Sequence, residues 1–128
     1  MSSPLRILVV DDSLSMRIIA TSLVTSLGHE VVGDVEDGKV ALKKYHELKP
    51  DVVMLDFAMP RFDGKKTLKR IFEIDPSANV VICSFLDLED EIEFCLREGA
   101  KFYLKKPYGE ERIKNALNSI ATQTAQQA

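Results

Sequence analysis

Short apolar runs recur along the chain, separated by stretches whose apolar residues repeat at helical spacing. Arg6 to Val10 and Val52 to Leu55 are near-continuous apolar segments, as expected of strands buried on both faces of a parallel sheet. Glu30 to Val35, Asn79 to Cys83 and Phe102 to Leu104 are three further predicted strands. Between the first two lies a helix, with Met16, Ile19, Ala20, Leu23 and Leu27 on one stripe and Gly28 as its stop. Asp37-Gly38 opens a second helix that ends near Leu48, before Pro50. Lys65 to Ile74 is a third, with Leu68, Ile71 and Phe72 inward and Lys65, Lys66, Lys69 and Arg70 outward. The fourth is expected to bury Leu88, Ile92, Cys95 and Leu96 and to stop at Gly99, leaving Phe94 exposed among acidic residues. Glu110 to about Ala121 is the last helix.

Strands alternating with helices through short loops specify an α/β fold, a doubly wound five-stranded parallel sheet with helices on both faces. At 128 residues the chain is expected to form one domain, 1–121, followed by a polar tail, 122–128, expected to be disordered. No apolar run is long enough to cross a membrane, and the amino end lacks a signal pattern, so a cytoplasmic address is expected. A net charge of −3 argues against a dedicated nucleic-acid binder. Cys83 and Cys95 have no metal-ligand spacing and read as reduced thiols, and His29 and His46 as solvated or capping residues.

The chemistry collects where the strands end. The first strand ends in Asp11 and Asp12, the third in Asp56, the fourth in Ser84 and the fifth in Lys105-Lys106. In a parallel sheet these carboxyl ends share one edge, where such folds bind ligands. Three carboxylates brought together repel, and a hard divalent cation such as magnesium resolves the conflict. Lysine supplies a point charge for phosphate and serine a hydroxyl. Taken singly each residue has a plainer use: Asp11-Asp12 as a helix cap, Ser84 as a strand-end hydroxyl, the lysines as solvated charges, Asp56 as a turn residue. Their coincidence on one edge points to phosphoryl transfer, with Asp56 as a carboxylate nucleophile.

The residues then match a family. Asp11-Asp12-Ser13 with Arg17, Leu55-Asp56, Met59-Pro60, Asp63-Gly64, Ser84, Gly99-Ala100, Tyr103 and Lys106-Pro107 resemble the response-regulator receiver domain of two-component signalling, over Leu5 to about Ile120. The resemblance implies a flavodoxin-like sheet of order 2-1-3-4-5, an order for which a member of this family is a standard illustration. It implies phosphorylation of Asp56 by a histidine kinase or histidine phosphotransfer protein docking near Leu14 and Ile18, in a phospho-acceptor that is not otherwise an enzyme. Magnesium is implied on Asp11, Asp12, Asp56 and the Ala58 backbone carbonyl. Ser84, Lys106 and the backbone of Ala58 and Phe85 would hold the phosphoryl group. Lys106, rather than Lys105, is implied by its place before a cis-bonded Pro107. Tyr103 matches the switch aromatic, with a downstream effector on the face of helix 4, strand 5 and helix 5, including Phe94.

Some positions depart from the family. Ala58 and Leu86 stand where members often carry polar residues that handle the hydrolytic water, which implies a long-lived aspartyl phosphate. Phe85 replaces a small residue. Chemotaxis members carry lysines on helices 4 and 5, whereas helix 4 is acidic here and helix 5 has Ala116 and Ser119. A magnesium-dependent phosphohydrolase is the alternative function, but Ala58 stands where that chemistry places a second aspartate. A flavin carrier of similar fold is a third, although Asp11-Asp12 would repel its phosphate.

Overall fold

The structure is a computed structural model that describes residues 4–57, 64–86, 88–107 and 109–127. Strands β1 (Arg6–Val10), β2 (Glu30–Val35), β3 (Val52–Asp56), β4 (Val80–Ser84) and β5 (Phe102–Lys105) alternate with helices α1 (Leu14–Ser26), α2 (Gly38–Leu48), α3 (Gly64–Ile74), α4 (Glu89–Glu98) and α5 (Glu110–Gln127). All pairings are parallel and the order is β2-β1-β3-β4-β5, as expected.

Every residue of β3 and β4 is buried, so the strand alternation feeds two cores rather than one. Leu8, Val10, Val53, Leu55, Val80 and Ile82 face a layer holding Ala41, Tyr45, Leu68, Ile71 and Cys95 of α2, α3 and α4. Ile7, Val9, Val52, Met54, Val81 and Cys83 face Ala20 and Val24 of α1 and Ile113, Ala116, Leu117 and Ile120 of α5. This is why the strands read as unbroken apolar runs: both sides of each need a nonpolar side chain.

The helix faces differ from expectation in places. On α1 the buried pair is Ala20 and Val24, while Ile19, placed on the inward stripe, is 52% exposed. Leu88 and Leu96, expected in the core, are exposed, and Phe94, expected outside, packs partly against the core. The reason is phase. Leu88 is the residue preceding α4 and has extended backbone, so helical spacing cannot be counted from it. The inward face runs through Glu91, Cys95 and Glu98, which centres it on the Phe94 side of Cys95 and leaves Leu96, about 100° round the other way, outside. The ammonium groups of Lys65 and Lys69 on α3 lie 5.1 and 5.7 Å from the centre of the Phe94 ring. Ala116 is a core residue, so no lysine could stand there in this chain without burying a charge. Helix α5 continues to Gln127, beyond the expected end at Ala121.

Two glycines are required by geometry. Gly99 ends α4 at φ 120°. At the start of α3, a Cβ on Gly64 would lie 2.8 Å from both the backbone oxygen and a ring carbon of Phe57, so only glycine lets α3 approach the end of β3 this closely.

Candidate phosphoryl-acceptor site

The sheet register carries the acidic residues to one level. Val10 pairs with Leu55, so Asp11 follows alongside Asp56, and Asp56 itself pairs with Cys83. Ser84 pairs with Lys105, and the next residue, Lys106, donates its backbone N–H to the Ser84 carbonyl at 2.6 Å. Residues far apart in sequence therefore converge on the carboxyl edge, as the strand-end reading requires.

Asp11 and Asp56 are buried, and Asp12 is exposed at the rim. One carboxylate oxygen of each of Asp11, Asp12 and Asp56 lies within 4.8 Å of the others. An all-oxygen, anionic donor set of this size suits a hard divalent cation. The Lys106 ammonium donates to Asp11 Oδ2 and lies 3.6 Å from Asp56 Oδ1. Its side chain is only 1% exposed, whereas Lys105 points into solvent, so Lys106 is the inward lysine. The Lys106–Pro107 peptide bond is cis.

The plainer role considered for Asp11, capping α1, falls instead to Ser13, which Asp11 positions. Asp11 Oδ1 accepts the backbone N–H of Ser13 at 2.9 Å, and Ser13 caps α1 by accepting from the Met16 N–H. One carboxylate thus orders the loop with one oxygen and meets Lys106 with the other. Capping and site-building are the same arrangement here.

Ser84 is fully buried, and its hydroxyl accepts the Leu86 N–H at 3.1 Å. The Tyr103 hydroxyl has one proton to share between two acceptors, Glu91 Oε2 at 2.7 Å and the Leu86 carbonyl at 3.1 Å. Burial first, and then the Glu91 carboxylate, hold the Tyr103 phenol well above its usual range. Leu86 therefore links the serine to the tyrosine, and Glu91 anchors the tyrosine to α4. Neither role was visible in sequence; Glu91 reads only as one acid of an acidic first turn.

Arg17 was noted only as a match, but it has a specific position. Its guanidinium donates to the Asp11 carbonyl at 2.7 Å and to Asp34 Oδ2 at 3.3 Å, tying α1 to the ends of β1 and β2. Cys83 lies behind the crevice, its thiol pushed up to about 12 by burial, which makes it an inert wall. Leu14 and Ile18, four residues apart on α1, are both exposed. Ala58, with Met59, Pro60 and Asp63, lies outside the described residues.

The sequence matches the description of the response regulator receiver domain over residues 7–118. The chemotaxis protein CheY of Thermotoga maritima is 37% identical over 116 residues, which span 91% of this chain and 97% of that one. CheY of Listeria monocytogenes is 39% identical over 117 residues, 91% of this chain and 98% of its own. Among solved structures, the CheX-CheY-BeF3-Mg2+ complex from Borrelia burgdorferi aligns with TM-score 0.86 and 34% identity, covering 92% of this chain and 90% of that one.

Proposed function

Since the chain belongs to the response regulator receiver family of two-component signalling, we propose that it accepts a phosphoryl group on Asp56 and reports it at its surface. The observation that carries this reading is the burial of Asp56 beside Asp11 with the Lys106 ammonium between them. Such a cluster is electrostatically costly unless it serves a ligand that needs both charges.

In the proposed reaction an Asp56 oxygen attacks the phosphorus of a phosphohistidine in line. The new O–P bond forms as the N–P bond breaks, and the imidazole leaves and takes up a proton. Asp11, Asp12 and Asp56 are the side chains that would hold a divalent cation such as magnesium, whose charge offsets the carboxylates and phosphoryl oxygens when bound. Lys106 neutralises the transferred group from the β5 side, and the Ser84 hydroxyl is positioned by the Leu86 N–H at the end of β4. Movement of Ser84 to donate its hydroxyl proton to a phosphoryl oxygen would release the Leu86 N–H and, through the Leu86 carbonyl, Tyr103. A single charged hydrogen bond contributes only about 1.5–3 kcal/mol, so Lys106 must supply part of the switching energy.

The exposed Leu14 and Ile18 support a phosphodonor contact on α1, and the Tyr103–Glu91 pair supports an effector contact around α4 and β5. Phe94, expected as an exposed effector contact, is instead half-buried beside the ammonium groups of Lys65 and Lys69. The chemotaxis proteins among the relatives support an output of that kind, and their receiver nature favours signalling over a phosphohydrolase.

Incubation with acetyl phosphate and magnesium, followed by intact mass, tests the proposal. The native chain is expected to gain one phosphoryl group and Asp56→Asn none. Equal labelling of both, or of neither, would overturn it.

A further inference from the structure

The residue after Ser84 is a phenylalanine, Phe85. Its side chain is not drawn into either core: it remains 56% exposed at the end of β4. One side of the ring is nevertheless occupied. The Lys106 ammonium, itself shielded from solvent, lies 5.2 Å from the ring centre. The two are brought together by the β4–β5 register, because Lys106 N–H is bonded to the carbonyl of Ser84, the residue immediately before Phe85.

An ammonium has three donors on a flexible four-carbon stem and is strongly hydrated. In this crevice it meets Asp11 on one side and Asp56 on another. The aromatic face covers a third side that water would otherwise solvate. A ring face attracts a cation electrostatically and offers it no hydrogen bond that could draw it outward.

We infer that Phe85 is a positioning residue for the phosphoryl site: its ring roofs the crevice, holds the Lys106 ammonium over Asp56 and slows hydrolysis of the aspartyl phosphate. This rests on the reading of Asp56 as phospho-acceptor. In hydrolysis a water oxygen bonds to phosphorus while the Asp56 O–P bond breaks. Asp56 leaves as the carboxylate, and the released dihydrogen phosphate carries both protons of the water. A roof over Lys106 opposes this step twice. It narrows the route by which water reaches the phosphorus, and it keeps the ammonium from swinging toward solvent. Leu86, 41% exposed and without a polar group to orient that water, acts in the same direction.

The test uses the full chain as wild type, Phe85→Ala, Phe85→Leu and Phe85→Tyr. Each is loaded with acetyl phosphate and magnesium, freed of donor, and followed by intact mass as the phosphoryl group is lost; thermal melting checks folding. Phe85→Ala is expected to lose it ~3-fold to 10-fold faster, the range a cation–π contact of this kind spans. Phe85→Leu keeps apolar bulk but has no ring face, so it should decay faster than the native chain and no faster than the alanine variant, and it serves in the alanine variant's place if that one does not fold. Phe85→Tyr keeps the ring and should restore the native lifetime. Native decay in Phe85→Ala or in Phe85→Leu would overturn the inference while leaving Asp56 as acceptor. A native chain that takes no label would overturn both.

Discussion

The two ends of the sheet hold the same kind of residue in opposite conditions. At the carboxyl edge, Asp11 and Asp56 are buried together and share one ammonium. At the amino edge, each carboxylate has its own fixed donors. Asp51 accepts the Arg6 N–H at 2.8 Å, and Asp75 accepts Tyr45 Oη–H at 2.8 Å and both the N–H and the hydroxyl of Ser77. That saturation lowers the Asp75 carboxyl below its usual value, with Ser77 and Tyr45 as the main causes. Donors at the foot come from backbone and neutral hydroxyls and leave nothing for a ligand to replace. At the carboxyl edge, the Lys106 ammonium faces both carboxylates at once, a charge that a cation can supplement and a phosphoryl group can engage. Aspartate is structural in one place and chemical in the other because of what surrounds it.

Removing the shared ammonium should break this contrast most severely. Lys106→Met leaves two buried carboxylates without their cation, and breaking a buried pair in this way costs about 3–5 kcal/mol. Denaturant unfolding should show that loss in magnesium-free buffer. Added magnesium should then restore more stability to the variant than it adds to the native chain, since the metal takes over the neutralisation that lysine provided. Ligand at a hundred times its Kd adds about 2.7 kcal/mol. Equal magnesium responses in the two proteins would mean that the ammonium and the cation do not answer the same need.

How far the sequence revealed each end follows from the same difference. The strand-end residues Asp11, Asp56, Ser84 and Lys106 were legible because a buried parallel strand leaves a plain apolar signature, and whatever polar residue follows it must lie on one edge. The links between them were not. That Leu86 joins Ser84 to Tyr103 depends on main-chain groups, which every residue carries. That Phe94 turns inward while Leu96 turns out depends on helix phase, which a count begun at Leu88 misjudged. Lys105 and Lys106 could be separated only by resemblance, and burial now separates them. At the foot, Tyr45 and Asp75 are thirty residues apart and follow no spacing rule.

A milder perturbation at the foot should sharpen the comparison. Asp75→Ala removes the acceptor of the Tyr45 hydroxyl, on a residue only 4% exposed, and of two Ser77 donors. Loss of about 1–3 kcal/mol is expected from orphaned donors of this kind. The hollow of about 300 Å³ beside Tyr45 admits water, which favours the lower part of that range. Phosphorylation rate and magnesium affinity should not change. A variant that unfolds earlier but takes label at the native rate would place the foot outside the chemistry; a slowed rate would show that the two ends are coupled through the sheet.

The smallest effect should come from His29, also at the foot, whose Nδ1 accepts the backbone N–H of Leu5 at 3.0 Å. Only the neutral tautomer protonated at Nε2 can accept there, and burial lowers its pKa below the usual value of about 6.5. Below that value the unfolded chain binds a proton that the folded chain resists, so stability should fall as pH drops from about 6.5 through the lowered folded value, and be fully present above it. Melting temperature measured across that window should show the slope in the native chain. In His29→Gln, which keeps an acceptor but does not titrate, this contribution should vanish. A slope unchanged by the substitution would show that His29 does not carry it.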